Sequence, residues 1–264
     1  MKKVRALNKN KLVEYCQEIE IDTNGKAIKT LIQEVQEYKN NEIRQSLEEG
    51  KGTELLTSMI EELAENYATN LNAKIEARKE EMREDDNSHY LIYRVLGIHT
   101  KEGQLIDEYQ NTGRFLYKYA GSFLEEAASI CLKFKNVEGC KMYVDNNVGR
   151  RPKTFEIDFL DDNNAIEIKW RDATTDGDHI TKEHTRVKVI QSYGHIPIRV
   201  MFYYPQREQA IRIQETLKTI YKGVKGHYYG GEEAWKFIKD YTGFDLKQIL
   251  TEIANKRIPN DGEE

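Results

Sequence analysis

Asp158, Glu167 and Lys169 are spaced so that one strand pair can bring two carboxylates and an ammonium together. Glu167 and Lys169 are two residues apart, which puts them side by side on one strand face. Asp158 lies in the segment TFEIDFL (154–160), separated from AIEIKW (165–170) by the turn-forming run DDNN. Antiparallel pairing is expected to bring Asp158 to the same face of the neighbouring strand. Carboxylate oxygens are what a hard cation such as Mg²⁺ requires, and Mg²⁺ takes only one or two from a protein. The rest of its shell stays open for water and a phosphate oxygen. Lys169 adds a compact positive charge that can hold the attacking water or stabilise charge developing on phosphorus.

As a bare pattern this spacing is common. The same residues would also serve as the solvent face of an exposed hairpin with a cross-strand ion pair. Apolar residues weigh against that reading. Phe155, Ile157 and Phe159 are expected on one face, opposite Glu156, Asp158 and Leu160; Ile166, Ile168 and Trp170 are expected opposite Glu167 and Lys169. Strands with such apolar faces belong to a core sheet. Glu156 gives the polar face a further carboxyl.

The elements that must position these strands are mostly helical. Residues 1 to about 90 show helical periodicity at Ile28, Leu31, Ile32, Val35 and Tyr38, and again at Leu55, Leu56, Met59, Ile60, Leu63 and Tyr67. EGKGTE, with Gly50 and Gly52, joins the two. A further helix is expected from about 106 to 134. After the hairpin and the polar loop RDATTDGD, a helix is expected over about 179–193. Asp178 would cap it, with Ile180, Val187 and Ile190 inward. IPIRVMFYY then reads as a buried strand ended by Pro205. Helices over about 206–222 and 232–255 close the chain. The order implies an α/β fold with a mixed central sheet flanked by helices, divided into a helical region 1–100 and a catalytic domain 101–264.

EIDFLDDNNAIEIKW resembles the PD-(D/E)xK nuclease superfamily, especially the type II restriction endonucleases, over residues from about 113 to 205. Asp158 matches the motif's Asp, Glu167 its acidic residue and Lys169 its Lys. Ile157 stands where a proline is usually written, a departure that members often share. KWRDATTDGDHITKEHTRVK is similar to the ApaLI-like restriction endonucleases. The resemblance implies a restriction-endonuclease-like fold, Mg²⁺-dependent hydrolysis of phosphodiester bonds in duplex DNA, and a cognate methyltransferase in the host. Cleavage of both strands of a palindrome would favour a homodimer. Members often add a metal-binding Glu from the helix preceding the motif. Glu125 and Glu126, in AGSFLEEAAS, are the candidates, and Gly121 slightly favours Glu125. A repair or junction-resolving nuclease, and a non-catalytic DNA-binding protein with this sheet, are the alternatives.

DNA contacts are less sharply marked. Arg150, Arg151 and Lys153 precede the first strand and could hold phosphates. Arg171, Lys182, Arg186 and Lys188 follow the second strand. The polar loop from Arg171 to His179, which includes Asp176, is placed to read bases. The bland alternative for each is a solvated loop or helix face. His179, His184 and His195 lack zinc spacing, although His184 could touch phosphate. YYGG at 228–231 is not followed by GK[ST], so nucleotide hydrolysis finds no support. Cys16, Cys131 and Cys140 form no CxxC pair and read as small hydrophobes in a reducing compartment. The basic start has no apolar core of a secretion signal, which fits a cytoplasmic protein. The net charge of −5, with 32% charged residues, gives no global sign of a nucleic-acid partner and argues weakly against one, but a sequence-reading nuclease is often acidic overall and keeps its basic groups in one cleft, so the charge excludes nothing.

Overall fold

A computed structural model describes residues 9–171 and 177–258. Asp176 and the side chain of Asp178 lie outside the described residues, and with them the base-reading role of the one and the capping role of the other. Helices α1 (Lys9–Glu18), α2 (Ile28–Glu48), α3 (Gly52–Glu84), α4 (Tyr90–Val95) and α5 (Thr100–Lys135) come first. Then follow β1 (Cys140–Asp145), β2 (Thr154–Asp161), β3 (Asn164–Arg171), α6 (Gly177–Ser192) and β4 (Ile196–Tyr203). The chain continues through α7 (Glu208–Gly223), β5 (His227–Gly230), α8 (Glu232–Thr242) and α9 (Leu246–Arg257). The architecture is the expected α/β fold with a helical N-terminal region.

The five strands lie in the order β1-β2-β3-β4-β5. β1, β2 and β3 form an antiparallel meander, and β4 and β5 add in parallel. The turn between β2 and β3 is tight: Asp161 pairs with Asn164, and Asp162 has φ +49°. Asp tolerates this left-handed conformation better than most residues. The Ile196 N–H donates to Asn163 O at 2.7 Å, which ties the turn to the start of β4.

Both faces of the sheet are covered, as parallel strands require. One face carries the main core. There Phe159, Ile166, Ile168, Ile198, Val200 and Phe202 of the sheet meet Leu124, Ala127 and Ala128 of α5, Ile238 of α8 and Ile249 of α9, together with Leu56 and Ile60 of α3. The opposite face holds two smaller clusters. Phe155, Ile157 and Ala165 pack on Val189 and Ile190 of α6. Val187 of α6 packs on Leu217 and Tyr221 of α7.

The simple alternation expected for β2 breaks at one point. Cys140 faces Leu160, but Met142 faces Ile157, so Asp158 and Phe159 together stand opposite Lys141. This is a β-bulge. It turns Phe159 into the main core with Ile166, away from Phe155 and Ile157, and leaves Leu160 with the α6 cluster. The expectation that Phe155, Ile157 and Phe159 share a face is corrected accordingly.

Three further boundaries differ from expectation. β1 shows one buried residue, Val144, along an otherwise half-exposed edge, so it carries no alternating pattern. β5 is only four residues long. The helix expected over 232–255 is two helices. Gly243, at φ +82°, closes α8 with its N–H on Lys239 O, and Asp245 caps α9 by accepting from the Gln248 N–H at 3.0 Å.

Candidate active site

The ladder between β2 and β3 runs only from Asp161↔Asn164 to Phe159↔Ile166. Beyond it the bulge opens a gap, and Asp158 fills it. Its Oδ2 accepts from the Ile168 N–H at 2.8 Å, so the carboxylate lies across the gap and satisfies a donor the ladder leaves over. Its Oδ1 is 3.4 Å from Lys141 Nζ. Asp158 is 4% exposed. Burial, then the nearby charge of Glu167, pushes its pKa up to about 7, against the pull of Lys169 and the Ile168 hydrogen bond.

Glu125, Glu156 and Asp158 each offer a carboxylate oxygen, and these oxygens lie within 4.8 Å of one another. Glu125 comes from α5 and is half-buried. Lys141 Nζ donates to it at 3.0 Å and also bonds Glu156. Tyr143 OH donates to Glu156 Oε2. Burial works against the charge on Lys141, but Glu156, Asp158 and Glu125 more than offset it and raise its pKa. Glu126, the other glutamate raised for this role, points elsewhere. It accepts from Tyr67 OH at 2.7 Å, on α3.

Glu167 is buried on the side of α6. The expectation that pairing puts Asp158 and Glu167 on one face is corrected by the bulge. Asp158 turns into the gap and toward α5, whereas Glu167 is held by Arg186 Nη1 at 2.6 Å and Lys169 Nζ at 2.5 Å. Arg186, read from sequence as a DNA contact, is directed inward. It also donates to the Glu156 carbonyl at 2.8 Å and approaches Glu183 at 3.2 Å. Glu183 in turn meets Arg199 at 3.0 Å, and Arg199 is fully buried. Burial alone would raise Glu183, but Arg199 and Arg186 reverse that and hold its carboxyl below the ordinary range. The result is an alternating ion chain, Arg199–Glu183–Arg186–Glu167–Lys169, running from the core to the gap. Lys169 is half-exposed at its end. Burial opposes its charge, but Glu167 and Asp158 raise its pKa.

The other basic residues raised as DNA contacts lie at the surface. Arg150, Arg151, Lys153, Lys182, His184 and Lys188 are exposed, and His179 is half-buried. Arg171 lies over the rings of Tyr117 and Trp170, at 5.4 and 5.6 Å. Sequence reading missed Lys141, Glu183 and Arg199. Two of these were signalled. Glu183 occupies the inward row of Ile180, Val187 and Ile190, and Arg199 interrupts the apolar run of β4. A charge in such a row needs a buried partner. Lys141 gave no sign, because nothing in the sequence located the bulge.

An oxygen-only donor set suits a hard divalent cation. A mixed sheet covered by helices, with carboxylates gathered where two strands part, defines an α/β protein of the restriction-endonuclease-like kind. The model of the ApaLI-like restriction endonuclease family matches residues 21–255, nearly the whole chain, and the protein belongs to that family. It is therefore a nuclease of a family that acts on DNA. No curated protein and no solved structure matches the chain. Among the described residues, no helix is long and apolar enough to cross a membrane.

Proposed function

We propose that this protein is a type II restriction enzyme, cutting both strands of duplex DNA at a specific sequence with Mg²⁺, in the cytoplasm. The observation that carries the reading is the group Glu125, Glu156 and Asp158 beside the Glu167–Lys169 pair, in a chain of this family. Glu125, Glu156 and Asp158 would hold the metal; when bound, it supplies Lewis acidity and lowers the pKa of water. The protein's own part follows from its geometry. Asp158, fixed by the Ile168 N–H, sets the position of the site within the sheet. Glu167 orients Lys169, and Arg186 fixes Glu167. Lys169 then donates to the attacking water or to a phosphate oxygen. Arg150, Arg151, Lys153, Lys182 and His184 would supply phosphate contacts, and Arg171, two residues beyond Lys169, would contact the reacting strand.

A homodimer is part of the proposal, with a methyltransferase protecting host DNA. Leu91, Ile92, Val95, Leu105, Ile106 and Tyr109, around α4 and the start of α5, are exposed apolar residues. Such a surface supports pairing with a second copy.

Plasmid DNA incubated with the protein, with and without Mg²⁺, tests the function. Discrete fragments only with Mg²⁺ are expected. A smear would point to a nonspecific nuclease, and uncut plasmid with Mg²⁺ would overturn the reading. Asp158→Ala, Glu167→Ala and Lys169→Ala should each lower cleavage by about 10²-fold or more, measured on protein that circular dichroism shows to be folded.

A further inference from the structure

We infer that Lys141 is a built-in cation that holds the metal site together before metal arrives and is displaced when it binds. The inference rests on the proposed metal role of Glu125, Glu156 and Asp158. Lys141 stands opposite the bulged residues Asp158 and Phe159, the one β1 position facing two residues of β2. Its ammonium reaches all three carboxylates: Glu125 Oε1 at 3.0 Å, Glu156 Oε1, and Asp158 Oδ1 at 3.4 Å.

Three carboxylates within 4.8 Å of one another repel strongly when partly buried. A single ammonium among them offsets much of that repulsion. It also keeps the three oxygens gathered around one point. Mg²⁺ sits about 2.0–2.1 Å from its oxygen ligands. An ammonium bonded to the same oxygens occupies the same space, so the two cations exclude each other. The flexible four-carbon stem of lysine lets the ammonium leave without moving the strand. Lys169 has a different place. Its ammonium is bonded to Glu167, which is not one of the three.

The test uses the full-length protein with Mn²⁺ as the probe. Titration calorimetry compares wild type with Lys141→Met, a substitution of similar length without charge. Loss of the competing cation should tighten Mn²⁺ binding by about tenfold. Lysine acetylation of wild type, read by mass spectrometry, is independent of whether the variant folds. Labelling of Lys141 should rise several-fold as Mn²⁺ saturates the site, while that of exposed Lys222 stays constant. Unchanged Lys141 labelling at saturating Mn²⁺, or a folded Lys141→Met variant that binds Mn²⁺ no more tightly than wild type, would overturn the inference. If Mg²⁺-dependent plasmid cleavage persists in either case, the failure belongs to Lys141 alone. If wild type neither binds Mn²⁺ nor cuts DNA, the proposed function fails with it.

Discussion

Below about pH 7, Asp158 keeps a proton that an exposed carboxyl would have lost. Its pKa rises from an ordinary value near 3.8 to about 7, mainly through burial and then through Glu167. Between those limits the folded protein binds more protons than the unfolded chain, so stability falls as pH rises through the interval. Above about pH 7 the full penalty of a buried, charged Asp158 is present. Asp158→Asn removes it and keeps an oxygen for the Ile168 N–H. In chelator the variant should melt at a higher temperature than wild type near pH 8, and the gap should close toward about pH 4. Thermal melts across that range check this; a constant gap would mean that Asp158 does not titrate as a buried acid. At this scale the residue types were legible, since D, E and K at 158, 167 and 169 announce themselves by alternation. Their orientation was not, because one extra residue in β2 reverses which way a side chain points.

The ion chain from Arg199 to Lys169 is the work of three elements, β3, α6 and β4, packed through charge as well as through apolar contact. Arg199 has no water to turn to, and Glu183 is almost as buried. Replacing one partner strands the other. Arg199→Met is therefore expected to cost about 3–5 kcal/mol, measured by urea unfolding. Removing both charges, as Arg199→Met with Glu183→Leu, should recover most of that loss. An additive double variant would show that the two do not act as a pair. The same single substitution should lower cleavage in molecules that remain folded, since Arg186 and Glu167 lose their backing. Helix and strand assignments for α5, β2, β3, α6 and β4 followed from periodicity because each buries an apolar stripe. β1 and β5 escaped because an edge strand and a four-residue strand bury too little to leave a pattern. The α8–α9 break was readable in Gly243 and Asp245, a left-handed cap followed by a side-chain cap, but the surrounding periodicity concealed it.

The whole molecule is acidic, with a net charge of −5, yet it is proposed to bind a polyanion. In the proposed function, Glu125, Glu156, Asp158 and Glu167 surround the place of the scissile phosphate. Divalent metal should therefore strengthen specific DNA binding as well as permit cleavage. Ca²⁺ supplies charge with geometry poorly suited to the reaction, so it should support binding with little cutting. Asp158→Asn should bind DNA more tightly than wild type in chelator and should not cut. Gel-shift titrations in chelator and in Ca²⁺ check both statements. Equal wild-type affinity in the two buffers, with no gain for the variant, would mean the carboxylates do not face DNA. The family match reaches back to residue 21, well before the part of the chain where the nuclease motif could be recognised. Helices of the N-terminal region offer only amphipathic stripes, which specify packing and say nothing of chemistry. They contribute Leu56 and Ile60 to the main core, so they help set the position of α5, and with it Glu125.

Trp170 gives the site a natural optical reporter. The chain has two tryptophans. Trp235 is buried against Phe202 in the core and meets the exposed Tyr203 edge-on. Trp170 follows Lys169 directly, is half-exposed, and has Tyr117 5.4 Å away with Arg171 over it. A nucleic-acid strand drawing Arg171 toward its backbone would strip that cation from the indole and alter its emission. Steady-state fluorescence should therefore change on adding cognate duplex in Ca²⁺, and Trp170→Phe should abolish the change while leaving the Trp235 signal in place.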